Sequence, residues 1–83
     1  IDAQLLQDYA VAARGLIENP VVEHCMTKLS DRYLTEFVSS NADETGVREK
    51  SYVRLKALQE LQGELVSLVI AAEQEAQIMD ETN

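Results

Sequence analysis

One cysteine, Cys25, stands in the whole chain, so no disulfide can close within it. Histidine is as scarce: His24 is the only one, and no second His/Cys pair exists to complete a tetrahedral metal shell. Proline occurs once, at Pro20, and glycine three times, at Gly15, Gly46 and Gly63. Each glycine is isolated, which excludes a glycine-rich phosphate loop. Tyr9, Tyr33 and Tyr52 are too scattered to form a stacking platform for bases. No apolar run reaches the roughly 18 residues that span a bilayer, and no basic segment leads into an apolar one as a secretory signal would. The chain starts at Ile1 rather than at methionine, so what precedes it in the parent protein stays open. Strand-like alternation is missing as well, because the β-branched residues fall on helical spacing.

These absences leave little chemistry. A catalytic base needs a nucleophile or a polar cleft within reach, and His24 has only Cys25 beside it. On a helix adjacent side chains diverge by about 100°, so the pair reads as a surface histidine next to a buried small cysteine. The acidic C-terminal segment, with Glu73, Glu75, Asp80 and Glu81, lacks the glycine and ligand spacing of a calcium loop. No catalytic, cofactor-binding or metal-ligating residue is expected, and the protein reads as a non-enzyme.

What the chain does have is acid. Seven bases against fifteen acids give a net charge of −8, unevenly spread. Residues 1–23 carry −3, residues 24–58 carry +1 with six of the seven bases, and residues 59–83 carry −6 with no base at all. Direct nucleic-acid binding is disfavoured, since phosphate contacts need a basic surface. Arg48, Lys50, Arg54 and Lys56 share no single helical face. They interleave with Glu49 and Glu60 as solubilising i,i+4 pairs.

Three helical patterns are visible, over about 2–18, 20–39 and 43–79, in one domain spanning 1–83. Asp2 is placed to cap the first, and Asn19 followed by Pro20 is a start signal for the second. The break at Pro20 is compatible with a kink between nearly collinear helices or with a true corner. The polar stretch from Ser39 to Gly46 is the turn, and Asn41 with Glu44 three residues later resembles a capping box, with Asp43 or Thr45 as rival N-caps. So short a turn makes the second and third helices antiparallel neighbours. Counting outward from it places Phe37 near Val47, Leu29 near Leu55 and Val22 near Gln62. Leu16, Ile17, Val21 and Val22 are expected to converge on Leu65–Val69, where the core should be densest.

The third helix carries a ladder of Leu58, Leu61, Leu65, Leu68, Ala72 and Met79, the a/d spacing of a coiled-coil seam. Between Leu65 and Ala72 it becomes apolar almost all round, because Val66, Val69, Ile70 and Ala71 fill the other faces. Ile70 and Val66 lie away from the line of Leu58, Leu65 and Ala72, so a hairpin alone leaves at least one exposed. Eighty-three residues form a marginal core without disulfide or metal, and oligomerisation is the remaining device. The expected interface comprises Leu61, Leu65, Val66, Leu68, Val69, Ile70 and Ala72. The fold class is all-α: an antiparallel helical hairpin with a long C-terminal helix, broken at Pro20 on its N-terminal side, assembling into an oligomeric bundle.

One stretch also resembles a known group. Glu18-Asn19-Pro20 opens a helix bearing Leu29, Tyr33 and Phe37, and a polar turn follows. Arg48-Glu49-Lys50 and Tyr52 then lead into Leu55-Lys56-Ala57-Leu58-Gln59-Glu60-Leu61, with Glu64-Leu65 beyond. This pattern, over about residues 18–70, is similar to small helical-hairpin proteins encoded by tailed bacteriophages near head-assembly and packaging genes. The resemblance implies a structural or accessory protein of the bacterial host cytoplasm or the virion. Its partners would be itself and another phage or host protein. It transfers no catalytic residues. The alternative reading is an acidic inhibitor or adaptor that captures a basic surface on a host protein, motivated by the −6 of residues 59–83.

Overall fold

The computed structural model describes residues 1–82, and they form three helices: α1 (Ala3–Glu18), α2 (Pro20–Ser39) and α3 (Thr45–Thr82). Each start has a chemical cause. The Asp2 carboxylate accepts the Leu5 amide at 2.7 Å, capping α1. The Asn19 side chain accepts the Val21 and Val22 amides at 2.9 and 3.2 Å, and Pro20 fills the first helical position, where its missing N–H costs nothing. Only Asn19, with φ −73° and ψ 120°, leaves the helical region between α1 and α2.

α1 and α2 both pack along α3 and touch each other only at their junction. The result is a rod of 61 × 23 × 17 Å, two helices wide. Its length matches the roughly 57 Å expected of the 38-residue α3. The break at Pro20 is therefore a kink between nearly collinear helices. The fold is a single antiparallel hairpin whose first arm is interrupted once.

The turn is fastened by its neighbours. The Glu44 amide donates to the Asn41 carbonyl at 2.9 Å, and the Glu44 carboxylate accepts the Asn41 amide at 3.0 Å. That second bond is half of the expected capping box. The other half is absent, because the Asn41 side chain accepts no helix amide there. Arg48, one turn into α3, instead donates its guanidinium to the Asn41 and Ala42 carbonyls. Arg48 thus fastens the turn and is more than a solubilising charge.

The inward seam of α3 steps by three and four through Arg48, Ser51, Leu55 and Leu58 and, seven residues on, through Leu65, Val69 and Ala72, all half-buried or buried. Opposite it run Leu6, Ala10 and Ala13 of α1, then Val22, Met26, Leu29, Tyr33 and Glu36 of α2. The leucine ladder is thus split. Leu58, Leu65 and Ala72 face inward, whereas Leu61 and Met79 stay exposed and Leu68 only half-covered. A two-helix rod can cover one stripe of each helix, and Leu61 lies outside that stripe.

Close packing also falls elsewhere than expected. The buried apolar residues are Ala10, Ala13 and Ala72, where small side chains let α1 approach α3. Gln7 there donates to the Ala72 carbonyl at 2.9 Å, and Arg14 pairs with Glu73 at 2.9 Å on the rim. The convergence of Leu16, Ile17, Val21 and Val22 on Leu65–Val69 does not produce the densest core: Leu16, Ile17 and Val21 are exposed. The kink at Asn19 lifts the chain from α3 at that level, and a cleft opens instead.

Candidate self-association surface

That cleft has a volume of about 200 Å³ and lies between Ile17, Val22 and Met26 on one arm and Gln62, Leu65 and Val66 on the other. Its walls are mostly aliphatic, with Glu23 and Thr27 at the rim. Val22 and Gln62 border it together, as the register counted from the turn requires. Ser51 and Glu36, joined by a hydrogen bond of 3.3 Å, place the register within one helical turn of that count.

Around the cleft, much of the apolar surface is uncovered. Val66 is 45% exposed, Ile70 47% and Leu61 52%, while Leu65, Leu68 and Val69 are half-buried. Ala72 differs from these six, being 4% exposed and already covered by α1. Tyr9, Leu16, Ile17 and Val21 add exposed apolar area on the facing arm. Three buried apolar residues against so many exposed ones is an inverted distribution for a stable isolated domain.

The polar residues offer no competing centre. His24 is exposed, and Cys25 is exposed too, correcting the reading that buried it. Cys25 sits beside the α2 seam, where a third element would be needed to cover it. Among the described residues no three His, Cys, Asp or Glu side chains gather as a metal site needs. No described helix is long and apolar enough to cross a membrane.

Two contributors carry little signal in the sequence: Ser51 and Arg48. Ser51 is 2% exposed, and the unbroken four–three stepping from Arg48 to Leu58 was the signal that marked it. Arg48 gave none, since its role depends on the turn's geometry.

No family model matches the chain, and no curated protein and no solved structure matches it.

Proposed function

We propose that this protein is a non-enzymatic, self-associating helical protein whose long helix supplies the interface. The observation that carries the reading is surplus surface. The rod exposes 6270 Å², whereas a compact monomer of 9.3 kDa exposes about 5000 Å². The excess exceeds the roughly 800 Å² that one partner contributes to a standard stable interface. It is apolar where the interface residues lie: Leu61, Leu65, Val66, Leu68, Val69 and Ile70. A structural or assembly role, in a phage particle or its host, is the setting we propose from the likeness to phage-encoded helical hairpins.

The test is mass by light scattering across a concentration series, on the wild type and on the Val66→Glu/Ile70→Glu variant. Both residues are exposed in the single chain, so the variant should keep its helicity. We expect two or more chains for the wild type and one for the variant. A variant that still assembles with unchanged helicity refutes this placement of the interface. A wild type that stays monomeric favours the acidic binding module instead, whose partner would dissociate as salt is raised.

A further inference from the structure

We infer that self-association uses two contacts on opposite flanks of the rod. The flank carrying Leu61 and Leu68 takes another copy running antiparallel, with Lys50 of each chain set against the partner's Glu75. The inference rests on the self-association proposed above and adds a second contact, its direction and its register.

The interface residues do not share one side of α3. At about 100° per residue, Leu61 and Leu68 lie about 140–180° round the helix from Val66 and Ile70. Val66 borders the cleft, and Glu73, on the same side of α3, pairs with Arg14 of α1. Leu5, Tyr9 and Leu16 lie about 140–180° round α1 from Arg14. They therefore share the flank of Leu61 and Leu68, where Tyr9 is 49% exposed, Leu16 45% and Leu61 52%. A copy docked on Val66 and Ile70 leaves this second flank bare.

The chemistry of its cover is written along α3. Lys50, Arg54, Ala57, Leu61, Glu64, Leu68, Ala71 and Glu75 follow at alternating steps of four and three, the a/d line of a coiled coil. All are exposed or half-buried. Antiparallel helices set each a position against a d position of the partner. Lys50 then meets the partner's Glu75, Arg54 the partner's Ala71, Ala57 the partner's Leu68, and Leu61 the partner's Glu64. A two-fold axis makes each of these contacts twice. Parallel copies would instead set Lys50, Arg54, Glu64 and Glu75 each against its own kind, which is repulsive at every one of them. None of these four charges has an ion partner within the chain, since Arg14–Glu73 is the one pair among the described residues. Lys50 and Glu75 stand 25 residues apart, roughly 37 Å along one helix, so only a second chain can join them.

Glu64 enters the middle of this contact and meets no base there, whereas the cleft beside Val66 is walled mostly by aliphatic side chains. The Leu61–Leu68 contact is accordingly the weaker and forms second. Two-fold contacts on opposite flanks do not close on themselves, so copies add as an open stack.

Light scattering on the full chain at low salt tests this. Wild-type mass should climb past two chains as concentration rises, without a plateau. Lys50→Glu and Glu75→Lys should each weaken the step beyond two by about tenfold, with unchanged circular dichroism. The two together should restore it, because the exchange re-creates both ion pairs across the axis. Glu64→Leu should tighten the same step. A double variant no better than either single one, or a Glu64→Leu variant that associates no more tightly, overturns the antiparallel register. A wild type that stops at two chains overturns the second contact. Both results leave self-association standing, whereas a monomeric wild type overturns self-association itself.

Discussion

At Gly15 a methyl group would meet nothing within 4 Å, and no described glycine adopts a positive φ. The residue therefore loses backbone entropy on folding without a conformational return. Gly15→Ala should stabilise the chain by about 0.5–1 kcal/mol in urea unfolding, with unchanged mass in solution. Gly15 and Gly63 look identical in the sequence, as single glycines inside helical patterns. The structure gives them the same open surroundings. Asp2 and Asn19, by contrast, were legible as caps, because the bond a cap makes is local and its donors lie two or three residues on. Cys25 was misplaced for the complementary reason: its burial depended on how many neighbours α2 would have.

Among the elements, α1 is held most narrowly. Ala10, Ala13 and Ala72 are the buried apolar residues of the α1–α3 seam, and Ala13 is only 2% exposed. Ala13→Leu should push α1 away and cost about 1–3 kcal/mol. In amide hydrogen exchange, protection should fall across α1 while α2 and the facing part of α3 keep theirs. The helices themselves were readable to within a few residues, since three- and four-residue periodicity and helix-start residues are properties of single segments. Which side of α3 would face inward was not. From Leu58 a step of three reaches Leu61 and a step of four reaches Gln62, yet both are exposed and the seam resumes only at Leu65. The half-buried line runs instead through Leu55 and Leu58 to Leu65, Val69 and Ala72, the side that the two arms cover.

The molecule as a whole is a rod with more apolar surface than its own two arms can cover. If association completes the core, folding and assembly are one equilibrium. The melting temperature of the wild type should then climb with protein concentration, whereas that of Val66→Glu/Ile70→Glu should stay flat. Scanning calorimetry over a hundredfold concentration range distinguishes the two. The arginine-fastened turn has a further consequence, for the order in which the rod forms. α2 and α3 meet across a five-residue connection, so their pairing can zip outward from Arg48 at little cost in loop closure. The Gln7–Ala72 contact spans 65 residues and has no such shortcut. α1 is accordingly the last arm to arrive and the first to leave. Its departure uncovers Val69 and Ala72, and a half-zipped chain carries a longer sticky stripe than a finished one.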